Sequence, residues 1–175
     1  MKKFVLLISG TSCTGKSSLV KVISQKFPGV YNVAHDKLKW QLAGYDRRQN
    51  GEVMKKLVEG FFRVVCEQGL SILLEVIIRS PEALKRYEQT AAEFGYQFIS
   101  VKLTAPEDVL LKRWRERVKD AKANNRPTSM TKEEDFIENV RMAFYVPSEA
   151  TVFDTSVVST DEIAEKISEL ITAAN

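Results

Sequence analysis

The chain has little of several residue types that would point to specialised chemistry. Its 175 residues include two cysteines and one histidine. Cys13 and Cys66 lie in separate predicted elements, so the sequence implies no disulfide and suits the reducing cytoplasm, which is the expected location. His35 alone cannot form a metal site, since a metal needs several such ligands.

Long apolar runs and a strong charge bias are also missing. No run approaches the length of a membrane span, and the short one after Met1-Lys2-Lys3 lacks a convincing cleavage site, so we expect no membrane partner. The net charge of +3 is too small to require a nucleic-acid partner, although it would not repel one. Length and composition fit one globular domain over residues 1–175.

What is present near the start is a complete G-x-x-x-x-G-K-[ST] motif, beginning at Gly10. It follows an apolar run and precedes a helical pattern, and this context favours a phosphate-binding loop over an ordinary Gly/Ser/Thr turn. Lys16 is expected to reach the β- and γ-phosphates of a nucleoside triphosphate, and Ser17 to ligate Mg²⁺. The predicted nucleotide-binding residues here are Gly10, Thr11, Ser12, Cys13, Thr14, Gly15, Lys16, Ser17 and Ser18.

Strand and helix patterns alternate along the chain. Strands are predicted at 4–9, 30–34, 72–78, 98–103 and 151–153. Asn50-Gly51 is expected to break a helix, Ser80 to cap one, and the pairs Thr131 with Glu134 and Ser159 with Glu162 to form capping boxes. The alternation predicts an α/β fold, with a five-stranded parallel sheet covered by helices on both faces. A ligand then lies at the carboxyl ends of the strands.

Two carboxylates follow predicted strands. Asp36 is either the N-cap of the next helix or a general base that accepts the proton of an attacking hydroxyl, and the two roles can coexist. Glu75 stands within an apolar run, where a metal-bound water or a nearby cation would offset its burial. The alternative for Glu75 is a side chain that turns to solvent or pairs with a basic neighbour.

A late basic helix supplies candidate phosphate contacts. Arg113 and Arg117 share a helix face by their four-residue spacing, and Arg126 lies in the Asn124-Asn125-Arg126-Pro127 break that follows. We interpret residues 113–130 as a helical lid whose arginines neutralise the transferring phosphate, although such a charge run is often only a solvated face. Trp40 and Trp114 could stack on bases but more often belong to packing, and Cys13 could make the loop sensitive to oxidation.

Together these parts resemble the small P-loop kinases that include the polynucleotide 5′-hydroxyl kinase domain, zeta toxins and chloramphenicol phosphotransferase. The similarity to phage-type polynucleotide kinase rests on the stretch 27–33 followed by a basic residue and Asp36, and extends to about Arg117. The resemblance implies a three-layer P-loop fold and transfer of the γ-phosphate of ATP with Mg²⁺. It also implies that Asp36 is the base, that Arg113 and Arg117 contact phosphates, and that Asp154 and Thr155 lie near adenine.

Two departures from that family bear on the acceptor. Lys39 stands where polynucleotide kinases often have Arg, and Glu75-Val76-Ile77 replaces a polar strand end. These changes favour a small-molecule or nucleotide-like acceptor over nucleic acid, with Arg79 as another contact. The 5′-hydroxyl polynucleotide kinase, a non-catalytic nucleotide-gated binding protein, and a GTPase or mechanical ATPase stay open as alternatives, and the sequence leaves the oligomeric state open.

Overall fold

The computed structural model describes residues 2–125, 128 and 130–173, which form a parallel sheet covered by helices. The strands are β1 (Phe4–Ser9), β2 (Tyr31–Ala34), β3 (Ile72–Glu75), β4 (Gln97–Thr104) and β5 (Thr151–Asp154). The helices are α1 (Lys16–Lys26), α2 (His35–Lys39), α3 (Arg47–Glu67), α4 (Pro81–Glu93), α5 (Glu107–Ala123), α6 (Glu133–Arg141) and α7 (Thr160–Ala173). The predicted α/β class and five-stranded parallel sheet are confirmed.

The sheet has the order β2-β3-β1-β4-β5, which places β1 and the loop after it at the centre. The neighbours of β1 are β3, with Val5 opposite Ile72, and β4, with Val5 opposite Phe98. All six β1 residues are buried, because helices cover both sides of this strand. The sheet therefore holds the loop that follows β1 on a fully enclosed strand.

Successive β1 side chains enter two different cores, as the period of two in a strand requires. Val5 and Leu7 pack in the core that also contains buried residues of α3 and α4. Leu6 and Ile8 pack in the core formed with α1 and α7. A third, smaller cluster joins α5 to α6, where the rings of Trp114 and Phe136 stack with centroids 5.2 Å apart.

Three local sequence predictions are wrong. Asn50-Gly51 lies inside α3, because Asp46 caps the helix earlier by accepting hydrogen bonds from the backbone of Arg48 and Gln49. The Thr131–Glu134 box does not form, since α6 begins at Glu133 after Lys132. The third strand ends at Glu75 rather than residue 78, because its pairing with β2 ends at Ala34–Glu75.

Other local signals are confirmed. Ser80 caps α4 by accepting from the backbone N–H of Ala83, and Ser159 and Glu162 exchange hydrogen bonds before α7. In α3 the buried residues Met54, Val58 and Phe62 face the core, whereas Leu57 is 54% exposed. Within the described ranges, no helix is both long and apolar enough to cross a membrane.

Candidate functional site

The loop between β1 and α1 has the backbone that its glycines predict. Gly10 has φ +149°, and a Cβ there would lie 2.7 Å from both the Leu103 carbonyl oxygen and Thr14 Oγ1. Gly15, the N-cap of α1, has φ +91°, and Cys13 adopts φ +65°. These left-handed residues curl the chain around the start of α1, where unpaired N–H groups and the helix dipole favour an anion.

Lys16 lies inside this curl. Its Nζ donates to the carbonyl oxygens of Gly10 at 2.9 Å and Thr11 at 2.7 Å. Burial lowers the pKa of Lys16, while the nearby carboxylates of Glu75 and Asp36 act in the opposite direction. The structure therefore brings together the three predicted residues Lys16, Glu75 and Asp36, which come from the ends of different strands.

Asp36 belongs to the first turn of α2, directly after β2. The N-cap position is Ala34, so the prediction that Asp36 caps this helix is wrong. The neighbouring His35 imidazole and the Lys39 ammonium hold the pKa of the Asp36 carboxyl well below its usual value. Lys39 Nζ lies 2.6 Å from Asp36 Oδ1, and 78% of the Asp36 side chain is exposed. The carboxylate is thus ionised and accessible.

Glu75 ends β3 beside β2. Asn32 Nδ2 donates to its Oε1 at 2.8 Å, so neither of the simple sequence alternatives, solvent exposure or a basic partner alone, describes it fully. The part of the chain described here contains no group of three His, Cys, Asp or Glu side chains placed to hold a metal. Mg²⁺ usually takes only one or two protein ligands besides phosphate and water, and the Ser17 hydroxyl with the Glu75 carboxylate fits that donor chemistry.

Helix α5 carries both predicted arginines into the cleft, and Arg113 contacts the loop. Arg113 Nη1 donates to the Cys13 carbonyl at 3.4 Å and to Thr155 Oγ1 at 2.8 Å, and Nη2 donates to the Thr155 carbonyl at 2.7 Å. Arg117 lines the same cleft as Cys13, and its positive charge favours the Cys13 thiolate. Burial nevertheless raises the pKa of Cys13, with Arg117 as the main opposing influence. Arg126 lies outside the described residues.

One contact to the loop has no counterpart among the sequence predictions. Ser12 Oγ donates to Asn139 Oδ1 of α6 at 3.1 Å, which joins α6 to the loop across 127 positions of sequence. No motif marks Asn139, because its position depends on packing between Trp114 and Phe136. The sequence signal that could have helped is the apolar spacing of α6 itself.

The remaining predicted residues are Arg79, Asp154 and Thr155. Arg79 donates to the carbonyl of Ala143 at 3.1 Å, and Thr155 is hydrogen-bonded to the end of β4. The Asp154 carboxylate accepts from the backbone and hydroxyl of Ser156 and so stabilises the turn after β5. Thr155 and Arg79 line the site described next, whereas the role of Asp154 near adenine stays a prediction.

A cleft of about 1360 Å³ runs along the carboxyl edge of the sheet. It contains most of the predicted residues and additional side chains from the ends of β2 and β3 and from α6. Its lining includes Lys16, Ser17, Asp36, Lys39, Trp40, Glu75, Ile77, Arg79, Arg113, Arg117, Asn139, Met142, Phe144 and Thr155. The cleft is the candidate site, since it joins an anion-binding loop, a carboxylate and several cations.

Comparisons with known proteins bear on the family and the fold of the chain. The sequence model described as AAA domain matches residues 5–138, which is more than half of the chain. No curated protein matches the chain. A candidate kinase from Chloroflexus aurantiacus is 17% identical with a TM-score of 0.74, and the match covers 100% of both chains.

Two further solved structures share the fold. APS kinase CysC of Mycobacterium tuberculosis, solved with AMPPNP and APS, is 17% identical with a TM-score of 0.69, over 97% of this chain and 98% of that chain. A chain of the Pnkp1/Rnl/Hen1 RNA repair complex is 16% identical with a TM-score of 0.64, over 79% of this chain and 43% of the other. At these identities the comparisons establish a kinase-like P-loop fold.

Proposed function

Because the chain belongs to the AAA domain family of P-loop proteins, we propose that it is a kinase. It transfers the γ-phosphate of ATP, with Mg²⁺, to a hydroxyl of a small-molecule or nucleotide-like acceptor. The observation that carries this proposal is the placement of Lys16 and Asp36 in one cleft, on residues that follow β1 and β2. A triphosphate-binding lysine alone would serve an ATPase equally well, whereas an ionised carboxylate beside it suits an acceptor hydroxyl.

The loop between β1 and α1 binds the nucleotide. The backbone N–H groups around Gly15 and the start of α1 hold the phosphates, and Lys16 exchanges its carbonyl partners for phosphate oxygens. Ser17 and Glu75 would hold Mg²⁺, which neutralises charge on the β- and γ-phosphates when bound. Arg117, which lines the cleft, is the lid arginine best placed to turn to the phosphates, while Arg113 is held by Thr155.

The transfer itself requires that the acceptor oxygen lose a proton. As the new bond between that oxygen and the γ-phosphorus forms, the bond to the β-phosphate oxygen breaks and ADP leaves. Asp36 accepts the hydroxyl proton, and it does so late, because its lowered pKa makes it a weak base until the hydroxyl becomes acidic. Asp36 therefore chiefly orients the hydroxyl before transfer.

The test is transfer of label from γ-labelled ATP in the presence of Mg²⁺. The protein is offered 5′-hydroxyl oligonucleotides in one reaction and a small-metabolite extract in another, with Lys16→Ala as the control. Label on a small molecule is the expected outcome, and mass spectrometry then identifies the acceptor. Label on the oligonucleotide would replace this proposal with a polynucleotide kinase. ATP binding without transfer to any acceptor would indicate a nucleotide-gated binding protein.

Asp36→Asn separates the two halves of the reaction. The substitution keeps size and hydrogen-bonding capacity but removes the negative charge, so ATP should still bind while transfer falls by about a hundredfold or more. Binding is measured by calorimetry with AMPPNP and transfer by the labelled assay. Equal turnover by Asp36→Asn and the native protein would rule out the proposed role of this carboxylate.

A further inference from the structure

The two tryptophans of the chain have opposite environments. Trp114 is 6% exposed and stacks on Phe136, with its indole N–H donating to the carbonyl of Met130 at 3.1 Å. Trp40 is 59% exposed and lines the cleft. Packing therefore accounts for Trp114 but not for Trp40, which presents a large aromatic surface to the cavity that also contains Asp36.

A lysine fixes the position of Trp40 relative to Asp36. Lys39 Nζ lies 2.6 Å from Asp36 Oδ1 and 5.1 Å from the centre of the Trp40 ring. Only 14% of the Lys39 side chain is exposed, so this cation is enclosed between the carboxylate and the indole. The indole consequently stands within the reach of a small molecule whose hydroxyl is held at Asp36.

Other parts of the cleft lining near the end of β3 are apolar. Ile77 is 53% exposed, and Met142 and Phe144 line the same cavity. Two long-range hydrogen bonds join these segments: the backbone N–H of Tyr145 donates to the carbonyl of Ile78 at 3.0 Å, and Arg79 donates to the carbonyl of Ala143 at 3.1 Å. These two bonds tie together the chain segments that carry Ile77, Met142 and Phe144.

We infer that the acceptor carries a planar aromatic or heteroaromatic ring, which stacks on Trp40 while its hydroxyl meets Asp36. This inference rests on the proposed kinase function and assigns Trp40 as a specificity-determining residue. A ring gains stacking on Trp40 and apolar contact with Ile77 in this half of the cleft, whereas a ring-free polyol gains neither. The cleft would thus distinguish hydroxyl compounds that carry a ring from those that do not.

Binding can be measured through Trp40 itself. AMPPNP and Mg²⁺ first saturate the nucleotide site, and the tryptophan emission is then titrated with adenosine, cytidine and 4-nitrobenzyl alcohol as ring-bearing probes, and with ribose and glycerol as ring-free ones. At least one ring-bearing probe should quench the tryptophan emission of the native protein. The same probe should leave the emission of Trp40→Phe, which comes from Trp114, unchanged. Absence of quenching by every ring-bearing probe at millimolar concentration would overturn the inference.

Turnover gives a second, independent readout. Trp40→Phe keeps an aromatic face, and Trp40→Leu keeps apolar area without one. For the ring-bearing acceptor that quenches, Trp40→Leu should raise KM by about tenfold with a smaller change in kcat, and Trp40→Phe should stay within about threefold of the native protein. The KM for ATP should not change in either variant, because the phosphate loop is untouched.

The two proposals fail in different ways. If ribose is phosphorylated as efficiently as adenosine, and Trp40→Leu has native kinetics with both, the proposed kinase activity is correct and the ring preference is wrong. If ring-bearing probes quench Trp40 but no acceptor receives label, while AMPPNP binds normally, the kinase activity is wrong and the stacking site stands as a binding site.

Discussion

Arg113 donates to both the hydroxyl and the main-chain carbonyl of Thr155, at 2.8 and 2.7 Å, and so ties α5 to the loop after β5. The same guanidinium reaches the carbonyl of Cys13 in the phosphate loop. Since Thr155 also bonds the end of β4 through its backbone N–H and its hydroxyl, the Arg113 side chain connects α5, the loop after β1 and the turn after β5. Arg113 is therefore a positioning residue for this side of the cleft.

Arg113→Ala should weaken AMPPNP binding by about tenfold, because hydrogen bonds from a charged donor contribute roughly 1.5–3 kcal/mol each. Thr155→Val removes only the hydroxyl acceptor and should have a smaller effect. Calorimetry on the single and double variants gives the coupling between the two residues. Arg115→Ala is the matched control. Arg115 lies on the exposed side of α5, where it pairs with Glu133 of α6. Native AMPPNP affinity in Arg113→Ala would contradict the positioning role of Arg113.

Gly10→Ala should be more disruptive than Gly15→Ala, although both glycines have positive φ. The added methyl at Gly10 meets the Leu103 carbonyl and Thr14, whereas at Gly15 it has no atom within 4 Å. Backbone strain costs about 1–2 kcal/mol at either site, and overpacking adds about 1–3 kcal/mol at Gly10 alone. Urea unfolding of both variants measures the difference, and equal stabilities would show that the loop moves to accept the methyl.

Cys13 should react slowly with iodoacetamide at neutral pH. The thiolate is the reactive form, and burial raises the pKa of this thiol above 9.0, so alkylation should still be increasing with pH beyond 9. AMPPNP should protect it, because Cys13 lines the cleft. Cys66, with a pKa raised to about 11 and 2% exposure, is the internal control and should stay unmodified while the protein is folded. Mass spectrometry locates the adducts, and a rate at Cys13 that levels off below pH 8 would contradict the assignment.

Phe136→Ala should destabilise the protein by about 3–5 kcal/mol, since it removes a fully buried ring from the small cluster that joins α5 to α6. It should also weaken the contact between Asn139 and Ser12 and lower nucleotide affinity. The comparison variant is Arg141→Gln, which breaks an exposed ion pair with Glu107 between the same helices and should cost at most about 1 kcal/mol. Thermal unfolding ranks the two, and the reverse order would contradict the importance of the cluster.

The features that sequence predicted well are local ones. The phosphate loop is a contiguous motif, Ser80 and Ser159 cap helices through neighbours three residues away, and Asp36 follows directly from a strand end. The features it missed depend on distant segments. The Asn139–Ser12 contact and the exposure of Trp40 follow from how helices pack on the finished sheet, and Asp46 overrode the Asn50-Gly51 break by capping α3.

The strand order also has a consequence for how such a protein can be altered. Since β1 and the phosphate loop after it are central, the segments after β2 and β3 bear the proposed acceptor residues on one flank, and the turn after β5 bears the proposed adenine contact on the other. Replacing the segment 37–45, which leaves Asp36 and the opposite flank intact, should exchange the acceptor specificity and preserve the nucleotide specificity. The sheet thus makes the two recognition tasks separable modules, which is a useful starting point for redesign.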